Sequence, residues 1–412
     1  MENESRRISD LPDELLLKVL SSSLPSKEVV ATSILSKRWR SLWEEVKTLM
    51  YDGDSFTRTY WRFTEFLSRR PSVDSLHLKL HPHVGNTDLK TLVNIAISLS
   101  LRELRIEMIC GFFEFPKSFY IFSQLETIIL EKQNLVDVPP NVRLVSLRRL
   151  HLLSVKFQGD ESVEKLLSAC PRLEDLVVTQ RSYTNVMLFN IRVPTLRSLC
   201  IDNTSGNHRP KGVYGFVINA PSLRFFSIRD SFSNYLWFGN MPELVKASVN
   251  VVCDKPDKFL GSLASTQSLS LCSVTSSQTP YPPIGTSFLS LDHLELCSCS
   301  KEWLNLLTFM LNDAPRLRVL KLKLKHCVKK EAMDPWNKPD TVPECLSSHL
   351  EIFEWRQYKG TEQEREAAKY IVAKGSCLKK ATFYSESAEK DGMLKELECV
   401  ARGSKTCSLV LK

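Results

Sequence analysis

The chain has 412 residues, 43% of them apolar and 25% charged, a globular composition with ample material for a core. Lys plus Arg number 55 against 47 for Asp plus Glu, and the excess is spread along the chain without a long basic block, which excludes a nucleic-acid-binding tail. The longest apolar stretch, near Leu92 to Leu101, is far too short to cross a bilayer, so no membrane span is expected.

The opening residues Met1 to Arg7 are charged and lack the apolar centre of a secretion signal, which predicts the cytoplasm or nucleus and reduced thiols. The 12 cysteines include no C-x-x-C pair, and Cys170, Cys200 and Cys377 read as small apolar fillers. With no secretory route, Asn203-Thr204-Ser205 is an accidental match to a glycosylation acceptor.

Three short helices are predicted next. In the first, Pro12 suits the first turn, Asp13 and Glu14 favour its positive end, and Leu15, Leu16, Val19 and Leu20 recur at helical spacing. The second starts at Ser26 and carries Val29, Val30 and Ile34; the third follows Ser36, with Trp39, Leu42 and Trp43 projecting apolar surface. A segment this short is not expected to bury so much apolar surface by itself.

Leu11-Pro12-Asp13-Glu14-Leu15 together with Leu35-Ser36-Lys37-Arg38-Trp39-Arg40-Ser41-Leu42-Trp43 resembles the F-box, over roughly Ile8 to Tyr51. The resemblance implies a three-helix plug for a Skp-family adaptor and, through it, a cullin ubiquitin ligase. It assigns adaptor contact to Leu11, Pro12, Leu15, Leu16, Val19, Leu24, Pro25, Val29, Leu35, Ser36, Trp39, Leu42 and Trp43. Ser21-Ser22-Ser23 departs from the family pattern, with one extra residue and serine where an aromatic or leucine is common, and predicts a looser first interhelical turn.

From residue 52 to 333 one phrase recurs, an apolar anchor followed at +3 and +5 by further apolar residues. The anchors are Val73, Leu101, Leu125, Leu147, Leu173, Leu196, Leu223, Leu244, Thr266, Leu291 and Leu317, continued beyond by Leu350 and Leu378, at a mean interval of about 25 residues. Copies such as Cys170-Pro171-Arg172-Leu173 read as a turn leading into a strand whose +3 and +5 residues share a face. Stacked copies predict an irregular leucine-rich-repeat solenoid with parallel strands, an α/β fold. Helices are predicted at Glu161 to Ala169 and Trp303 to Leu311; the copies at Leu244 to Val249 and Thr266 to Leu271 are weakest, and distortion is expected there.

Residues 334–412 carry Leu350-Glu351-Ile352-Phe353-Glu354-Trp355, Tyr358-Lys359-Gly360 and Tyr370-Ile371, which resemble the FBD unit of plant F-box proteins. Thr361-Glu362-Gln363-Glu364 is a capping box, Ala367, Ala368, Ile371 and Val372 form one helix face, and Gly375 suits the stop. A strand, helix, strand unit closing the repeat array is the expectation.

No phosphate-cradling, nucleophile-elbow or zinc-protease motif is present, and 14 glycines are few for Gly-rich loops, so no catalytic residue, metal or cofactor is assigned. His293, Cys297 and Cys299 lack a fourth ligand at a usual spacing, and His81-Pro82-His83 reads as a solvated turn. The outward position between each +3 and +5 pair is the candidate target surface: His77, Arg105, Ile129, His151, Val177, Cys200, Ser227, Ser248, Ser270, Glu295, Lys321, Glu354 and Thr382. Lys321, Lys323 and Lys325 form a basic strip that predicts either a solvated strand face or an acidic or phosphorylated ligand. A non-catalytic specificity subunit holding an unknown protein target is the reading that follows; the alternative is a repeat scaffold acting without ubiquitin machinery.

Overall fold

The structure is a computed structural model that describes residues 8–22, 24–53, 57–80, 86–108, 115–132, 135–181, 185–205, 212–252, 259–274, 287–298, 303–323, 336–386 and 390–412. It divides into two compact units, residues 1–180 with 184–186, and residues 181–183 with 187–412.

The first unit opens with α1 (Asp13–Ser21), α2 (Ser26–Ala31) and α3 (Lys37–Glu45). Chain order then runs β1 (Thr48–Asp52), α4 (Thr57–Ser68), β2 (Ser75–Leu80), α5 (Asn86–Ser98), β3 (Glu103–Met108), β4 (Thr127–Glu131), β5 (Leu135–Val136), β6 (Arg149–Leu153), β7 (Lys156–Phe157), α6 (Asp160–Ser168) and β8 (Asp175–Arg181). Strands β1, β2, β3, β4, β6 and β8 pair in that order, all parallel, while β5 and β7 form a separate parallel pair. Each return crosses over to bring the next strand alongside its predecessor, as parallel pairing requires.

In the second unit the order is β9 (Leu188–Arg192), β10 (Ser198–Ser205), β11 (Gly215–Asn219), β12 (Phe225–Asp230), β13 (Tyr235–Phe238), β14 (Lys246–Val252), α7 (Phe259–Ser262), β15 (Ser268–Val274), β16 (His293–Cys297), α8 (Trp303–Asp313) and β17 (Val319–Lys323). It continues through α9 (Glu344–Ser348), β18 (Ile352–Trp355), α10 (Glu362–Lys374), β19 (Lys380–Phe383), α11 (Lys390–Glu398) and β20 (Ser408–Leu411). Strands β10, β12 and β14 to β20 form one parallel ladder, and β9, β11 and β13 a smaller parallel sheet.

Every anchor named from the sequence is buried, from Val73 to Leu378, and so are the +3 and +5 residues of most copies, such as Leu76 and Leu78 or Leu320 and Leu322. The turn before the strand is closed by the anchor's own N–H, which donates to the carbonyl three residues earlier, as from Leu173 to Cys170 at 3.1 Å and Leu317 to Ala314 at 3.2 Å. Pro171 and Pro315 occupy the second position of these turns, where a fixed φ is favourable. The carbonyl just after the anchor then accepts two N–H groups from the next copy: Arg102 receives Glu126 and Thr127, Arg148 receives Glu174 and Asp175, and Arg318 receives Glu351 and Ile352, at 2.8–3.1 Å. This backbone stitch joins successive turns without an asparagine ladder.

Two expectations change. The weak copies at Leu244 and Thr266 carry a long regular pairing, Lys246 with Ser268 through Val252 with Val274, rather than a distortion. Thr266 replaces leucine without penalty because its buried hydroxyl lies 3.1 Å from the Val245 carbonyl and 3.2 Å from that of Ser268. The repeat also starts earlier: Val46, Leu49 and Tyr51 are buried in the anchor, +3 and +5 phase, so β1 belongs to the ladder although it lies at the end of the helical module.

At the C-terminal end β18, α10 and β19 follow the predicted strand, helix, strand order. Thr361 and Glu364 make the reciprocal capping box, and Ala367, Ala368, Ile371 and Val372 are buried. Gly375 ends the helix at φ −75°, outside the left-handed region; a side chain there is excluded because its Cβ would lie 2.9 Å from the Ile371 carbonyl.

Candidate functional site

The three N-terminal helices sort the predicted contact residues into two classes. Leu16, Leu20, Val29, Trp39, Leu42 and Val46 pack together as a buried core, with Leu11, Leu17, Leu24 and Trp43 partly covered around it. Leu16, Val29, Trp39 and Leu42 therefore support the surface and do not form it, and the expectation that Trp39 and Leu42 project outward is corrected. Trp43 is half-buried, its ring 5.9 Å from that of Phe66 and 5.2 Å from the Arg70 guanidinium. The indoles are large enough to fill the gaps between short helices, which is why so small a module closes its own core.

The outward face consists of other residues. Pro12, Leu15 and Val19 are exposed along α1 at spacings of three and four, with Leu16 and Leu20 turned inward. Leu35 and Ser36 are exposed before α3, while Pro25 is half-buried at the start of α2. The most exposed apolar side chain of the module is Ile34, at 85%, and Ile8 is also exposed; neither was among the predicted contacts. Helical spacing aligns Ile34 with Val30, but the chain tightens to a 3-10 turn at Thr32–Ile34 and swings Ile34 out of that row.

Arg38 holds α3 to the start of α1: its Nε donates to Asp13 Oδ1 at 2.6 Å and its Nη2 to the Leu11 carbonyl at 2.7 Å. Ser22 caps α1 by donating its hydroxyl to the Val19 carbonyl at 2.6 Å, so this serine tightens the turn expected to be loose. Ser23 lies outside the described residues. Behind the module, Met50 N–H donates to Ser26 Oγ at 3.0 Å and Arg70 Nη2 to the Trp43 carbonyl at 3.0 Å, fastening the helices to β1 and to the chain just past α4.

Strand register gathers the candidate target residues into rows. In the first unit Met50, His77, Arg105, Ile129, His151 and Val177 stand side by side, with Met50 an addition to the predicted row. In the second unit the row is Cys200, Ser227, Ser248, Ser270, Glu295, Lys321, Glu354 and Thr382. All are half-buried except Thr382, which is buried.

Ion pairs cover much of these faces. Arg105 lies 2.9 Å from Glu131, Lys79 3.2 Å from Asp52 and His151 3.2 Å from Asp175, and Lys132 pairs with Glu107. The Lys132 hydrogen bond holds the Glu107 carboxyl below the usual range. Lys323 pairs with Glu295, and Lys321 sits 3.9 Å from Glu354, which also accepts from Arg356 Nε at 2.6 Å. Lys323 is thus paired, whereas Lys321 shares Glu354 with Arg356; Lys325 lies outside the described residues. His293 is 3.3 Å from Asp292, Cys297 is buried, and Cys299, His81 and His83 are outside the described residues.

Burial first, and the Arg105 charge second, push His77 below its ordinary pKa of 6.5, against opposing Glu107, Glu131 and Asp52. The folded chain therefore binds fewer protons at this site than the unfolded chain, and its stability falls as pH drops below about 6.5. Melting temperatures measured between neutral and mildly acidic pH should show a smaller acid loss for His77→Gln than for the parent; an identical acid loss would remove His77 as a source.

A model of the F-box domain matches residues 8–50, one of a leucine-rich-repeat domain (At1g61320/AtMIF1, LRR domain) residues 71–351, and one of the FBD residues 338–383. The FBD-associated F-box protein At1g50980 of Arabidopsis thaliana is 54% identical, over 100% of this chain and 93% of its own length. The chain belongs to the FBD-associated F-box protein family. Its F-box match covers the helical module and most of β1, and its FBD match contains β18 and β19, which keep the ladder register. Two further Arabidopsis thaliana relatives are the FBD-associated F-box protein At5g56560, 46% identical over 100% of both chains, and the F-box/FBD/LRR-repeat protein At5g56570, 41% identical over 98% of this chain and 91% of its own.

Proposed function

We propose that the chain is a non-catalytic specificity subunit that docks a Skp-family adaptor through its F-box and, with a cullin ubiquitin ligase, presents a protein target. The observation that carries this reading is the outward apolar set on a module with a complete core of its own: Pro12, Leu15 and Val19 on α1, with Ile34 and Leu35 before α3. Side chains of this size left in water across two neighbouring elements fit a protein partner. The strand rows hold the target, the FBD strands close the array, and tethering raises the target's local concentration near the ubiquitin carrier.

The test is capture of a purified Skp-family adaptor by the full chain. Ile34→Asp combined with Leu15→Asp should weaken capture at least about tenfold with little loss of melting temperature, because both side chains are already solvent-facing. No capture by the intact chain would leave the ligase reading without support and favour a repeat scaffold.

A further inference from the structure

The two units finish their outermost strands differently. In the first, the edge of β1 that faces away from β2 is closed by α2, whose Ser26 Oγ accepts the Met50 N–H at 3.0 Å. In the second, β20 pairs with β19 on one side, and no described residue pairs with its other edge. The inner face of this last copy is also incompletely covered: Leu409 and Leu411 are half-buried, whereas Ala381 and Phe383, their partners on β19, are buried.

The main-chain groups on the open edge can be assigned. Ser408 N–H donates to the Lys379 carbonyl at 2.9 Å, Lys412 N–H donates to the Phe383 carbonyl at 2.8 Å, and the Lys412 carbonyl accepts Ser385 N–H at 3.0 Å. Direction alternates along a parallel strand, so Ser408, Val410 and Lys412 face β19, and the N–H and carbonyl groups of Leu409 and Leu411 face outward. The outward stretch stops at Cys407, whose carbonyl accepts Arg402 Nη1 at 2.9 Å. Natural edges are guarded by charges, prolines or bulges against pairing with another chain. Ser408–Leu411 carries no charge and no proline, and the Lys412 ammonium sits over the Tyr384 ring, 5.7 Å from its centroid.

We propose that this edge pairs with the same edge of a second copy of the chain, antiparallel about a two-fold axis at Val410. In that register Leu409 of each copy faces Leu411 of the other, and the two exchange N–H and carbonyl groups, so every outward group from Leu409 to Leu411 finds a partner. Centring the axis on Leu409 would instead set Leu411 against Cys407, whose carbonyl is already taken. Directly opposed residues share a face of the sheet, so the half-buried leucines cover one another, Lys412 meets Ser408, and no like charges are opposed. The edge is thus its own complement, which selects a second copy as the occupant. So short a strand buries less than a standard interface of about 1,600 Å², so the dimer is a reversible one. The pairing does not depend on the ligase reading, because it involves no adaptor and no target.

Sedimentation velocity of the full chain from about 1 to about 100 μM should show a reversible monomer–dimer equilibrium that goes no further than the dimer. Val410 opposes itself across the axis in a pair without hydrogen bonds, where side chains approach most closely. Val410→Lys and Val410→Glu should therefore each weaken dimerisation by at least about tenfold, and an equimolar mixture of the two should recover it. In the parent, amide exchange over residues 408–412 should slow as concentration rises. The inference is overturned by a parent that stays monomeric, by growth beyond a dimer, by either variant dimerising like the parent, or by a mixture that does not recover. Should the variants fail to fold, the exchange measurement on the parent decides: protection of residues 408–412 that is independent of concentration rejects the pairing.

Discussion

Trp39→Ala is expected to cost the F-box about 3–5 kcal/mol and with it the module's cooperative unfolding, because a fully packed indole leaves a cavity its neighbours cannot fill. Trp39 is 2% exposed and shares its core with Leu16, Leu20, Val29, Leu42 and Val46. Val46 is also the first anchor of the ladder, so damage at Trp39 should spread toward β1. Chemical denaturation and limited proteolysis of the full chain read this directly. The variant should lose adaptor capture together with protease resistance in residues 8–53, whereas Ile34→Asp should lose capture alone. A Trp39→Ala chain that resists protease like the parent while failing to capture would return Trp39 to the surface and contradict the packing described.

Gly215→Val should be the most damaging single change in the second unit. Gly215 sits at φ +149°, and a Cβ there would fall 1.8 Å from the Tyr235 carbonyl oxygen. Backbone fills that space, so the only relief is to part β11 from β13, opening the pairing from Gly215 with Tyr235 to Ile218 with Phe238. A loss of about 3 kcal/mol or more is expected, in the range of strained-backbone and core-disrupting substitutions. Gly159→Ala is the control: its backbone is extended and nothing lies within 4 Å of the added Cβ, so only the poorer N-cap of α6 is expected to count, about 1 kcal/mol or less. Equal stability of the two variants would refute the close approach at β11.

The parallel ladder was legible in the sequence because each copy repeats one demand, an anchor and two inward residues in fixed phase, and the same phase that buries Leu317, Leu320 and Leu322 sets Lys321 outward. The smaller sheet of β9, β11 and β13 was not legible: its strands lie in the returns, where no phrase recurs and where pairing depends on how neighbouring copies stack. Thr266 shows a related limit, since a polar anchor weakens the pattern while its hydrogen bonds preserve the structure.

At the F-box, the motif identified the right segment but did not separate the outward residues Pro12, Leu15, Val19, Leu35 and Ser36 from the core residues Leu16, Val29, Trp39 and Leu42. A tryptophan in a short helix reads equally as a contact or as a core filler, and only the angle between helices decides; the Arg38 bonds to Asp13 and Leu11 fix that angle from 25 and 27 residues away. Ile34 was hidden for a local reason, the change from α to 3-10 winding. The ion pairs of Lys321 and Lys323 were hidden for a long-range one, because the acidic partners Glu354 and Glu295 come from adjacent strands.

The backbone stitch within each unit has a consequence for how such a protein can change. Because the carbonyl after anchors such as Leu101, Leu147, Leu223 and Leu317 joins one copy to the next by main-chain atoms alone, no side chain on the outward rows is required for those copies to stay in register. Cys200, Ser227, Ser248 and Ser270 stand on strands whose alignment is set by atoms common to all amino acids. The rows can therefore be rewritten residue by residue while the frame that carries them keeps its geometry.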